Sequence, residues 1–469
     1  MTTRSLTSSA STARAGASGW TSSAGSGAWL AADAGRGGRV ILGSTRTTVL
    51  PMSLHPEIDA ASAAMQAQVI AWRRDLHQHP ELGNREFRTA SIVAEHLRSL
   101  GFDEVKTGVA HTGVVGLLKG GLPGGVVALR ADMDGLPVTE EVELPFASKA
   151  RAVWNGEEVG VMHACGHDCH VAILMGVASI LAGLRERIPG SVKFIFQPAE
   201  EMPPEGEEGG AELMIKEGVL ENPTPSAIFG LHVTSRQPAG VIGYRPGPTM
   251  ASSDKLKITV QGKQTHGAAP WLGVDPIVTS AQIVLGLQTI VSRTLDLNRE
   301  PAVVTIGAIK GGVRENIIPD SVEMRGTIRS FDEGMRDAIH ERVTQLAEGI
   351  ATASRASCKV CITKNYPVTR NDPVLTEQMV PTLTRVASTG PRPMGIEVVP
   401  KATGAEDFSF FQRLIPGLFF FVGVTPPEIE PSKAYSNHSP RFIVDERGLE
   451  VGVRALAHLA VDYLAAKSS

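Results

Sequence analysis

The sequence predicts an α/β protein: a sheet with helices packed on its faces, interrupted by a smaller α+β unit. Two observations carry this. Over the first half of the chain, short apolar runs that end in polar residues alternate with segments of helical periodicity. Past about residue 250 the order becomes β-α-β-β-α-β, a ferredoxin-like signature.

The elements follow in order. Residues 1–53 are rich in Ser, Ala, Gly, Thr and Arg and hold few large apolar side chains. Such a stretch cannot bury enough surface to order itself, and it lacks the apolar core of a secretory signal. It is expected to be a disordered or spurious N-terminal extension. From Leu54 a helix is expected, because Ile58, Met65, Val69, Trp72 and Leu76 recur at helical spacing. A second helix runs from about Glu86 to Leu100, stopped by Gly101. GVVGLLKG, GVVALRADMDGLPV, SVKFIFQPAEE and SAIFGLHV read as strands, with a helix from about Asp168 to Leu184 between them. In such sheets, sites form beyond the carboxyl ends of the strands.

DKLKITVQGK then alternates as a strand, followed by a helix from about Ile277 to Leu295. Strands around AVVTIGAI and SVEMRGTIRS, a helix from about Asp332 to Ala353, and a strand around KVCITKNY complete the set. Residues 252–364 are therefore expected to form an inserted domain, flanked by the two parts of the main domain, 54–251 and 365–469. A last helix is expected from about Glu446 to Leu464.

Composition narrows the function. Lys plus Arg is 45 against 49 for Asp plus Glu, a net charge of −4, so no basic footprint points to nucleic acid or an anionic membrane. No apolar run reaches the roughly 18 residues of a membrane helix. The four cysteines lie in two close pairs, too few to staple a chain of 469 residues. Cys358 and Cys361 sit at odd spacing in a strand and point to opposite faces. A cytoplasmic location is expected.

MHACGHDCH at 162–170 is the densest cluster of chemistry-bearing residues. Cys165 and His167 share one face of an extended segment. Thiolate and imidazole suit zinc and other transition metals. The local pattern does not say which of His163, His167, Asp168 and His170 are ligands. PAEE at 198–201 follows a strand expected to be buried, where adjacent carboxylates are costly unless paired or bound to a cation. One can bind metal, and the other can take a proton from an activated water. His232 ends its strand in GLHV, and His438 lies in the turn SNHSP. His266 and Asn316 mark turns of the inserted domain. Asp132 and Asp134 in RADMDGLPV are placed to fix a ligand histidine. Glu406 and Asp407 in TGAEDFSFF read as a helix start.

Together with DLHQHPELGNREFRTA, FQPAEE, THGAAP, ENIIPD and NHSPRF, these stretches resemble the aminoacylase/carboxypeptidase group of metal-dependent amidohydrolases. The resemblance covers about residues 70–460, and is nearest to the branch of hippurate hydrolases, auxin-conjugate hydrolases and N-acetyl-diaminopimelate deacetylases. It implies a zinc-exopeptidase-like three-layer main domain with the inserted domain as lid and dimerisation surface, making a homo-oligomer. It implies two divalent metal ions (zinc, manganese, cobalt or nickel), held by Cys165, His167, Glu201, His232 and His438. Glu200 would be the general base, and His266 and Asn316 would reach the substrate from the lid. The implied reaction is hydrolysis of an N-acyl amino acid or a similar small conjugate. A di-metal dipeptidase or carboxypeptidase on the same scaffold is the alternative. No G-x-S-x-G elbow occurs, which counts against a serine hydrolase.

Overall fold

A computed structural model describes residues 53–390 and 394–468. Apart from Ser53, the expected extension 1–53 lies outside the described residues.

The chain opens with two helices, α1 (His55–Gln78) and α2 (Phe87–Ser99). Strands β1 (Glu104–Val109), β2 (Gly113–Lys119) and β3 (Leu122–Asp132) follow, then a small hairpin of β4 (Arg151–Trp154) and β5 (Glu157–Gly160). Helix α3 (His167–Gly183) leads to β6 (Pro189–Gln197), and helix α4 (Gly210–Lys216) to β7 (Ile228–Pro238), β8 (Ile242–Tyr244) and β9 (Gly247–Met250). The inserted unit holds β10 (Ser253–Gln261), the two-residue β11 (Thr265–His266), α5 (Pro276–Thr289), β12 (Ala302–Gly311), the two-residue β13 (Ile317–Ile318), β14 (Ser321–Ser330), α6 (Glu333–Ala353) and β15 (Ser357–Tyr366). The return comprises β16 (Thr369–Asn371), α7 (Pro373–Thr389), β17 (Ile396–Val398), α8 (Phe408–Gln412), β18 (Gly417–Thr425) and α9 (Leu449–Ser468).

Eight strands form the main sheet in the order β1-β2-β6-β3-β7-β18-β8-β17. Its centre, β6-β3-β7-β18, is parallel. Central strands alternate between two cores, as a period of two requires. Val127 and Leu129 of β3 and Phe194 and Phe196 of β6 pack with α1, α2, α3, α7 and α9. Ala128, Ile195, Ile228 and Phe419 face the other way, towards α4 and α8. This is a three-layer arrangement, helices–sheet–helices. Among the described residues no helix is long and apolar enough to cross a membrane.

The inserted unit is a four-stranded antiparallel sheet, β12-β14-β10-β15. Leu256, Ile258 and Val260 of β10 share a separate core with Ile283 and Leu287 of α5 and Ile339 and Val343 of α6. The chain enters through β9 and leaves through β16. These two crossings pair with each other, Thr369 opposite Met250 and Asn371 opposite Gly247.

Three expectations need correction. His232 does not end its strand: β7 runs on to Pro238, held by β18, with Phe421 opposite His232. The helix expected to reach Leu295 is α-helical only to Thr289 and closes with a π turn, Ile290–Thr294. The final helix begins as a 3-10 turn at Glu446–Gly448. Several elements were not anticipated, among them β18 and α7. β18 is an unbroken apolar run buried on both faces. In α7, Pro381 lies inside the helix, but the Asp372 cap and the buried face Leu375, Met379, Leu383 and Val386 hold it together.

Candidate metal centre and active site

Cys165 ends the extended segment before α3, and His167 is the first residue of that helix. Gly166 between them has φ +96, and a Cβ there would lie 2.4 Å from Val233 Cγ2. Only glycine makes this corner without displacing β7. Glu200 and Glu201 lie on the loop after β6, flanked by Ala199 at φ 50 and Met202 at φ 86. His438 sits in a turn at φ 72, and its backbone N–H donates to the Ala164 carbonyl at 2.8 Å. Asn437 fastens that turn: its Nδ2 donates to the carbonyls of Cys165 (2.9 Å) and Val233 (3.1 Å).

These pieces converge. Cys165 Sγ is 3.3 Å from His232 Nε2 and 3.2 Å from His438 Nε2. His438 Nε2 is 3.0 Å from Glu201 Oε1. Ligand atoms of Cys165, His167 and His232 lie within 4.8 Å of one another, as do those of Cys165, Glu201 and His438, and those of His167, Glu200 and Glu201. Two nitrogen and sulfur ligands on one tetrahedral cation are separated by about 3.5 Å, so the spacing suits metal binding. His167 Nε2 is buried and lacks a hydrogen-bond partner, although buried polar atoms are normally paired. The donor set therefore fits divalent cations, and candidate dinuclear clusters are present.

Neighbouring side chains fix the ring orientations. Asp134 Oδ1 is 3.1 Å from His167 Nδ1, and Asp134 Oδ2 accepts the Glu201 backbone N–H at 2.9 Å. One carboxylate thus orients two members of the cluster. Asp132 takes a different partner: its Oδ1 is 2.5 Å from His170 Nδ1, and its Oδ2 accepts from Arg130. His170 Nε2 accepts the Val233 N–H at 2.9 Å, so both its nitrogens are occupied. His163 is buried with neither ring nitrogen hydrogen-bonded, and Asp168 pairs with Arg73 and His77.

The electrostatics call for positive charge. Burial opposes a charge on His167, but Asp132, Asp134 and Glu201 outweigh it and carry its pKa up to about 10. Burial and the nearby His170 hold His232 down at about 3, in the neutral form that ligates metal. Burial, then the Glu201 and Glu200 carboxylates, push the Cys165 thiol well above its usual range. Burial, then Glu406 and Glu201, raise Glu200 likewise. Arg130 is the buried guanidinium among Asp132, Glu406 and Asp407. Glu406 and Asp407 thus do more than start a helix, a role hidden in the sequence because Arg130 lies 276 positions from Glu406. Glu86 was also missed: it is buried, accepts from Thr112 Oγ1 and holds the Ala199 N–H at 2.8 Å.

Cys165, Glu200, Glu201, His232 and His438 open into a cavity of about 550 Å³, also lined by Arg329. His266 and Asn316 do not line it. They adjoin each other on the inserted unit, both exposed, with Gly267 N–H donating to the Asn316 carbonyl at 2.8 Å.

A three-layer α/β body, an inserted antiparallel unit and a largely buried Cys/His/Glu cluster, exposed at His438, beside a free carboxyl define a metal-dependent hydrolase of amide bonds. The comparisons place it more narrowly. The model of Peptidase family M20/M25/M40 matches residues 128–462. Thermostable carboxypeptidase 1 of Saccharolobus solfataricus is 42% identical over 84% of this chain and 95% of its own length. The N-acetylcysteine deacetylase of Bacillus subtilis is 38% identical over 86% of this chain and 98% of its own. The crystal structure of the Bacillus subtilis YXEP protein, a dinuclear metal binding peptidase from the M20 family, superposes with a TM-score of 0.72 at 35% identity, covering 86% of this chain and 99% of that one. The chain belongs to Peptidase family M20/M25/M40.

Proposed function

We propose that this protein hydrolyses N-acyl amino acids or similar small amide conjugates. In this reading Cys165, His167, Glu201, His232 and His438 hold two divalent cations, and Glu200 is the general base. One observation carries it: Glu200 is a buried carboxyl that borders the cavity, with Oε2 3.9 Å from His167 Nε2. Zinc, manganese, cobalt or nickel bound in the cluster would acidify a water and polarise the scissile carbonyl. Glu200 takes the proton of the attacking water as its oxygen bonds to the carbonyl carbon. It then passes that proton to the amine nitrogen as the C–N bond breaks.

Arg329 supports a substrate that bears a carboxylate. It borders the cavity, donates to the Ile328 carbonyl and forms no ion pair among the described residues. Relatives named as N-acyl amino acid and N-acetylcysteine hydrolases support the acyl side. Residues 252–364 act as a lid in this reading, and His266 and Asn316 contact the substrate once a lid closes over the cavity. Val278 and Leu285 of α5 and Ile309 of the edge strand β12 stay exposed, which supports a homo-oligomer built through this unit. The location proposed is cytoplasmic, supported by four free thiols.

A carboxypeptidase is the second reading, favoured by the Saccharolobus solfataricus relatives. A screen on metal-loaded protein separates them. N-acetyl amino acids and hippurate should be turned over with higher kcat/KM than dipeptides or longer peptides. The reverse order would replace the first reading with the second.

A further inference from the structure

The loop that carries Glu200 is bent against its own preferences. Ala199 and Met202 on either side of the Glu200–Glu201 pair have positive φ, at 50° and 86°. L residues other than Asn and Asp seldom adopt that region, and such conformations persist only where the surroundings over-determine them. Behind the loop lies a cavity of about 210 Å³, bordered by Ala199, Met202, Tyr366 and Phe410, so packing alone does not hold it. Three polar ties do. Glu86 holds the Ala199 N–H, and Asp134 holds the Glu201 N–H. Tyr366 Oη donates to the Glu200 carbonyl at 2.5 Å.

The first two ties come from the main body. The third does not. Tyr366 is the last residue of β15, paired with Ser253 at the base of the inserted sheet. It stands just before β16, where the two crossings run side by side. Its ring is fixed edge-on against Phe410 of α8, centroids 6.2 Å apart. We infer that Tyr366 is a positioning residue: its hydroxyl sets the place of Glu200 from the root of the inserted unit, so the unit's position is transmitted to the base. This rests on Glu200 being the base. Tyr366 touches the backbone carbonyl of Glu200 and is absent from the lining of the active cavity, so it acts through Glu200.

The test is a double-mutant cycle on the metal-loaded full chain with hippurate as substrate, using Y366F, E200Q and the pair. Y366F should retain bound metal, change KM less than about twofold and lower kcat about 10- to 100-fold, the scale of a misplaced reacting group. In the E200Q background the same change should have almost no further effect, because the group it positions is gone. Installing 3-fluorotyrosine at 366, which keeps the donor, should restore kcat to within about threefold. A Y366F kcat within twofold of the parent overturns the inference. So does an equal loss in both backgrounds, which marks general damage. If E200Q alone turns over like the parent, the base assignment fails first, and this inference falls with it. If Y366F does not fold, kcat is compared between proteins bearing 3-fluorotyrosine and 3,5-difluorotyrosine at 366, donors of different strength and similar volume. A difference in kcat supports the tie, and equal kcat overturns it.

Discussion

Asp132 and Asp134 stand two residues apart, yet they serve different rings. Asp134 faces His167 and the Glu201 backbone, whereas Asp132 faces His170 and Arg130. Their spacing does not say which ring each meets, because that depends on α3 and β7. The same limit applied across MHACGHDCH. His170 spends both nitrogens on Asp132 and Val233, while His167 keeps Nε2 free; neither is visible from the stretch itself. Asp134→Asn retains the size but weakens the acceptor for the His167 N–H. Metal affinity should fall by about 10- to 100-fold with the fold intact. Competitive chelator titration measures this, and affinity equal to that of the parent would remove Asp134 from its orienting role.

At the level of elements, α6 is fastened to the inserted sheet by a buried charge cluster. Asp254 on β10 is fully buried and accepts from Arg336 and from His340, whose Nε2 lies 2.6 Å away. Burial alone would raise the Asp254 pKa, but the His340 and Arg336 hydrogen bonds outweigh it and leave the group below its ordinary value. A depressed folded pKa means stability that is present above the unfolded value of about 3.9 and lost as pH falls through the folded one. Hydrogen exchange in α6 should therefore accelerate below about pH 4, before the main sheet opens. Asp254→Ala removes the buried partner of Arg336 and leaves it only Glu333, and should destabilise the unit by about 3 kcal/mol. Unchanged α6 protection in that variant, both at neutral pH and below about pH 4, would contradict the assignment. The sequence showed α6 and β10 through their periodicity. It did not show the cluster, because Asp254 and Arg336 lie 82 positions apart.

Across the whole molecule, the α/β body and the interrupting β-α-β-β-α-β unit were legible because each rests on hydrophobic periodicity. β18 was not, although it is a buried apolar run like β6 and β7, because periodicity alone cannot tell such a run from a buried helix segment. α7 was masked by Pro381, whose cost is met by tertiary burial. The exposed apolar side chains of the inserted unit, with Leu285 72% and Ile309 57% exposed, raise the question of assembly. Leu285→Glu together with Ile309→Glu should shift the protein to monomer by light scattering while leaving secondary structure unchanged. A parent protein that is already monomeric at micromolar concentration would contradict an interface there.

The central claim is a division of labour between two adjacent carboxyls, and it is tested most directly by measuring metal content and steady-state kinetics on two variants side by side. Glu201→Gln removes the charge of the proposed ligand next to His438. It should lose metal on dialysis and recover part of its turnover when metal is supplied in excess. Glu200→Gln keeps the shape of the site and removes only the proton acceptor. It should hold metal like the parent, bind substrate almost unchanged and lose turnover by about 10²- to 10⁴-fold. If Glu200→Gln loses the metal and Glu201→Gln keeps it, the two roles are exchanged. If both variants keep metal and near-parental turnover, this pair is not the catalytic centre and the mechanism is wrong.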